Sequence, residues 1–175
     1  MNERLSENDN PKSADPRSPE AVADHERLDR LRDDIFRLEL ERNIVELELY
    51  GYTIIRDAMP MPFFDELRAA IMALAEEDSK AGRLIPLAAP EGESYAVPWL
   101  LPRGRVFEQA VMAEKPLTLV TYMLGESCEI SSNHGHVRVQ GDPPQGLHID
   151  CPFVPAPVPA FLHACTMMWR LDEFS

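Results

Sequence analysis

His148 and Asp150 stand two residues apart in the segment Gly146-Leu-His-Ile-Asp150. In a β-strand, residues two apart project to the same face. An imidazole and a carboxylate would then enter one cavity side by side. That is two-thirds of the two-histidine, one-carboxylate set that holds Fe(II) and leaves positions open for a co-substrate and oxygen. Near neutral pH these side chains supply the forms such a metal needs, a neutral imidazole and an ionised carboxylate. The plainer reading of the same residues is a surface strand with two polar side chains.

Other histidines lie nearby. His134 and His136 share a strand face by the same period of two. A pair of that kind invites a cupin-type metal site, but Gln140 and Gly141 occupy the places where its glutamate should follow. A place at the mouth of the cavity or on a loop fits these two better. His163 falls in an apolar run and reads as a core histidine, whereas His25 lies in a charged helix and reads as exposed. Cys151 follows Asp150 directly and so points to the opposite strand face, as a buried apolar residue. No Ser-His-Asp arrangement, phosphate loop or dinucleotide fingerprint is present.

These residues need elements to position them. Residues 1–22 are polar and carry Pro11, Pro16 and Pro19. They bury too little apolar surface to offset the entropy of ordering and are expected as a disordered tail. Residues 23–49 form the next unit, an N-terminal helix in which Leu28, Leu31, Ile35, Leu38, Val45 and Leu49 make an apolar stripe. That stripe serves either packing on its own domain or self-association in a short coiled coil. Gly51 stops the helix, and Tyr52 to Ile55 reads as a short strand. Pro60 and Pro62 open a second helix whose buried face is Phe63, Phe64, Leu67, Ile71 and Leu74. Residues 79–104 read as loop. Val106 to Leu124 reads as one or two helices broken at Lys115-Pro116. Strands are expected at 127–131, 136–140, 146–150 and 161–171, with a Pro-rich loop over 152–159. Helices first and strands last predict an α+β, mainly β architecture with the helices on one side.

The stretch Gln145-Gly-Leu-His-Ile-Asp150, its Pro-rich loop and the run Thr166-Met-Met-Trp-Arg-Leu-Asp-Glu-Phe-Ser175 together resemble the phytanoyl-CoA dioxygenase family. In that family a Q-x-x-H-x-D strand precedes a loop and then a strand ending W-x-L-D. Leu49-Tyr-Gly-Tyr-Thr-Ile-Ile-Arg-Asp-Ala58 is similar to the family's opening strand, and the helix from Phe63 to Ala75 sits where the family places its next one. The resemblance spans residues 43–175, and residues 50–175 are taken as a partial domain of this type. It implies a double-stranded β-helix, the jelly roll shared with cupins, flanked by N-terminal helices and incomplete at the C-terminus. It implies an Fe(II)- and 2-oxoglutarate-dependent dioxygenase that hydroxylates a small organic substrate. His148 and Asp150 would be the first two iron ligands. Trp169 matches a position that lines the co-substrate pocket, though it is equally placed to be a core tryptophan. The family's third ligand, a histidine within a P-G-S-H segment, and an arginine that clasps 2-oxoglutarate would both come after Ser175. On this reading the chain by itself is expected to be inactive in turnover. The alternative is an inactive truncated fragment, or a non-catalytic binding module on the same scaffold.

Bulk properties bound the partners. The net charge of −13 over 175 residues argues against nucleic acid and against an anionic membrane surface. No apolar run is long enough to cross a bilayer, and the N-terminus lacks the apolar segment of a secretory signal. Three cysteines, Cys128, Cys151 and Cys165, form no CxxC pair and suit a reducing compartment. The expected location is the cytoplasm.

Overall fold

A computed structural model describes residues 19–87, 93–143, 146, 148, 150 and 162–172. The expected tail through residue 18, Cys151 and the Pro-rich loop lie outside the described residues.

Where the stripe over 23–49 predicts one helix, the chain forms two: α1 (Pro19–Arg37) and α2 (Glu41–Tyr50). The break is a Schellman motif. Glu39 takes a left-handed conformation with φ 58. Leu40 N–H donates to the Ile35 carbonyl at 3.0 Å and Glu39 N–H to the Phe36 carbonyl at 3.2 Å. The turn swings Leu40 into a small core with Ile35 and Leu119, so the helix gains a buried leucine where it stops. Leu28, Val45 and Leu49 of the predicted stripe stay exposed. The helix starts at Pro19, four residues before the expected unit at 23, and so takes in residues 19–22 of the expected tail. Proline is well suited to a first helical position, where no N–H is needed. Gly51, at φ 75, ends α2 with its N–H on the Leu47 carbonyl at 2.9 Å.

Residues 52–55 form no strand. Their backbone lies under polar side chains of α2 instead. Asn43 donates to Thr53 Oγ1 at 2.9 Å, and Thr53 donates to Glu46 at 2.6 Å. Helix α3 (Met61–Ala81) comes next and buries Phe63, Leu67, Ile71 and Ala75 at helical spacing. Phe64 and Leu74 of the predicted face are half-buried beside them.

The segment expected as loop supplies most of the sheet. β1 (Ile85–Pro86), β2 (Tyr95–Val97) and β3 (Gly135–Val137) make one antiparallel sheet in that order, with Tyr95 opposite Val137 and Val97 opposite Gly135. These strands are two or three residues long, too short to leave an alternating pattern. Helix α3 lies against β2. A 3-10 turn (Leu101–Arg103) leads into α4 (Arg105–Val111), and α5 (Glu114–Leu124) packs on α1. The break between α4 and α5 falls at Met112-Ala113, not at Pro116. Pro116 sits in the first turn of α5, where its missing N–H costs nothing.

Residues 127–131 and 162–171 carry no strand pairing, and the expected strand at 136–140 is shorter and begins at Gly135. The further strands that a double-stranded β-helix requires are not among the described residues.

Candidate functional site

The sheet and α3 hold the ground on which the candidate residues stand. β3 carries His136, and its neighbour Gly135 packs so closely on α3 that a Cβ there would lie 3.0 Å from Ile71 Cγ2. Beyond β3 the chain is tied back by Asp142. Its carboxylate accepts the Ser94 N–H at 2.6 Å and the Glu93 N–H at 3.3 Å, and the buried Ser94 hydroxyl accepts the Val139 N–H at 2.9 Å. The Ser94 side chain most of all, and then the Ser94 and Glu93 N–H groups, hold the Asp142 carboxyl below the usual carboxylate range against the opposing effect of burial.

His148 and Asp150 come together, and neither of these described residues carries a strand assignment. His148 Nε2 lies 3.0 Å from Asp150 Oδ1, with the two side chains 47% and 57% exposed. His148 Nδ1 lies 2.7 Å from the Gly146 carbonyl. A carbonyl and an ionised carboxylate only accept, so both ring nitrogens donate, Nδ1 to Gly146 and Nε2 to Asp150, and a metal on Nε2 would take the place of its proton. The Gly146 carbonyl first, and then Asp150, hold this imidazole above the usual histidine range. Asp150 Oδ2 accepts a hydrogen bond from Thr166 Oγ1 at 2.8 Å. One carboxylate oxygen is therefore engaged from behind and the other faces the imidazole.

This arrangement suits a divalent cation. Metal-bound imidazoles commonly donate their other ring N–H to a backbone carbonyl, which sets the tautomer, and ligating carboxylates are themselves hydrogen-bonded. Donors about 2.1 Å from a small divalent ion and at right angles to each other lie about 3.0 Å apart. Nε2 and Oδ1 already have that separation. Among the described residues, no third His, Cys, Asp or Glu gathers with them into a metal-sized cluster.

The other candidates occupy separate places. His136 has its imidazole partly desolvated, which lowers its pKa; the neighbouring His134 and Arg138 act in the same sense, and Asp150 acts against them. His134 faces Trp99 with ring centroids 6.4 Å apart. Trp99 is exposed and holds φ 57, a left-handed conformation that a bulky residue rarely adopts. Trp169 leans edge-on against Phe63 and Phe64, with ring centroids 5.6 and 5.8 Å away. Its body belongs to the core cluster of α3. Its Nε1–H is buried and has no acceptor among the described residues, so the tryptophan also offers an unused donor. His163 is exposed, which corrects its expected place in a core strand: no strand forms there to bury it. His25 is exposed as expected, Cys165 is an exposed free thiol and Cys128 a half-buried one.

No family model, curated protein or solved structure matches this chain.

Thr166 and the Gly146 carbonyl are the site groups that sequence patterns do not reveal. Neither a threonine 16 residues from its carboxylate nor a main-chain oxygen leaves a periodic signal. A hollow of about 500 Å³ between α3 and β2, lined by Met72, Glu76, Leu84 and Tyr95, does not include the His148–Asp150 pair. The pair sits on open surface. Among the described residues no helix is long and apolar enough to cross a membrane.

Proposed function

We propose that this chain belongs to the Fe(II)- and 2-oxoglutarate-dependent dioxygenases of the phytanoyl-CoA dioxygenase type, with His148 and Asp150 as two of its metal ligands and a small organic molecule as its substrate. The observation that carries this reading is the 3.0 Å approach of His148 Nε2 to Asp150 Oδ1, with Nδ1 already committed to the Gly146 carbonyl. The order of motifs along the chain supports it. A cytoplasmic setting goes with it.

When bound, the iron and its co-substrate supply oxidation of a C–H bond by oxygen, with 2-oxoglutarate as the sacrificial reductant. The chain's own residues have simpler tasks. His148 would present Nε2 once its proton there is released, with Nδ1–H kept on Gly146. Asp150 presents Oδ1, because Thr166 holds Oδ2. Trp169 offers a buried N–H to a carboxylate or carbonyl of a bound organic acid.

The test is an anaerobic titration of the chain with Fe(II), or with Co(II) as a visible probe, followed by 2-oxoglutarate. Wild type should bind the metal, and His148→Ala and Asp150→Ala should each lose it. Metal uptake that ignores both substitutions would end this reading. A non-catalytic module on the same scaffold is the second reading, favoured by the lack of a third gathered ligand among the described residues.

A further inference from the structure

We infer that Thr166 is the positioning residue for the metal carboxylate, fixing which oxygen of Asp150 faces the cation. This inference rests on the metal reading of His148 and Asp150. A free aspartate carboxylate turns about its terminal torsion, which is broad and two-fold. It then presents either oxygen, or both, and its time is divided among arrangements that cannot share a cation with His148. The Thr166 hydroxyl removes that freedom. Its Oγ1 donates to Oδ2 at 2.8 Å, and Oδ1 is left at 3.0 Å from His148 Nε2. The two contacts select single-oxygen ligation through Oδ1.

The hydroxyl is itself held in place by its C-terminal neighbours in the chain. Three residues on, Trp169 is lodged against Phe63 and Phe64. Asp172 accepts a hydrogen bond from Arg68 of α3 at 2.7 Å, and Arg170 Nε donates to the Asp172 carbonyl at 2.9 Å. Segment 162–172 is thus fastened to α3 at its far end and reaches Asp150 at its near end. Helix α3 positions the carboxylate through Thr166, with no contact of its own to the metal residues required.

Groups that hydrogen-bond a metal ligand typically contribute about 10- to 100-fold in metal affinity. The experiment is a Co(II) titration of the full chain, followed by its visible absorption, for wild type, Asp150→Ala, Thr166→Val and Thr166→Ser. Valine keeps the shape of threonine and removes the donor; serine keeps the donor. Circular dichroism and tryptophan fluorescence check that each variant is folded. The expected result is a Kd raised about 10- to 100-fold in Thr166→Val, a Kd within about threefold of wild type in Thr166→Ser, and an altered cobalt spectrum in the valine variant as ligation changes. Wild-type affinity and spectrum in Thr166→Val, with binding lost in Asp150→Ala, would overturn the role of Thr166 and leave the metal site standing. Equal weakening in the valine and serine variants would also overturn it, since the hydroxyl would not be the cause. Absence of Co(II) binding by wild type would overturn the metal reading, and the inference would fall with it.

Discussion

Asp78 and Arg103 meet through two parallel hydrogen bonds, Nη2 to Oδ1 at 2.8 Å and Nη1 to Oδ2 at 2.5 Å. Arg83 Nε adds a third to Oδ1 at 2.8 Å. The carboxylate side chain is fully shielded from solvent and lies in the last turn of α3, while Arg103 ends the 3-10 turn before α4. Paired guanidinium and carboxylate planes are the strong form of this contact. The cluster locks the C-terminal end of α3 to the turn that launches α4.

Acid should therefore loosen the α3–α4 junction. Arg103 first, and then Arg83, hold the Asp78 carboxyl below its usual range against the opposing effect of burial. A depressed carboxyl contributes stability that is present above the unfolded pKa of about 3.9 and is lost as pH falls through the lower folded value. Denaturant titrations should show this loss setting in below about pH 4. Asp78→Asn should lower the midpoint at pH 7 and flatten the acid decline. An unchanged acid profile in that variant would show that other carboxylates govern it.

Gly135→Ala should destabilise the protein by about 1 to 3 kcal/mol, because a new Cβ would press on Ile71 Cγ2 at 3.0 Å. The backbone there carries no positive φ, so the cost is one of space alone. Pairing the change with Ile71→Ala, which removes Cγ2, should make the two losses less than additive. Urea unfolding of the single and double variants reads both effects. Additive losses would place the strain elsewhere.

Glu39→Gly should leave the protein as stable or raise its stability by up to about 1 kcal/mol. Glutamate is held there at φ 58, a conformation glycine takes freely. Leu40→Ala, one residue on, should cost about 2 to 5 kcal/mol, since Leu40 is 1% exposed and anchors the turn on Ile35 and Leu119. Thermal unfolding of the two variants should move in opposite directions, or the glycine variant not at all.

Trp169→Ala should cost roughly 2 to 3 kcal/mol, at or below the low end for a large aromatic because the ring is only half-buried. It should also weaken metal binding more than Leu171→Ala does, since Trp169 anchors the segment that bears Thr166. Comparing the two by Co(II) titration at a temperature where both are folded separates anchoring from general loss of stability.

Much of the helical frame was legible in the residues alone. The spacing of Phe63, Leu67 and Ile71 marked the buried face of α3, and Gly51 marked the end of α2. His148 and Asp150 stood out as a pair, and they do meet. Such features are local: a period or a stop residue works within a few positions of chain. Tertiary structure alone decided the rest. It made strands of Tyr95 to Val97, which are too short to show alternation, and it split the long stripe at Glu39 because Leu40 had a core to enter. It joined Asp78 to Arg103 across 25 residues and Thr166 to Asp150 across 16. Hydrogen bonds of that kind depend on where folded elements bring two side chains, and no short-range pattern encodes that meeting.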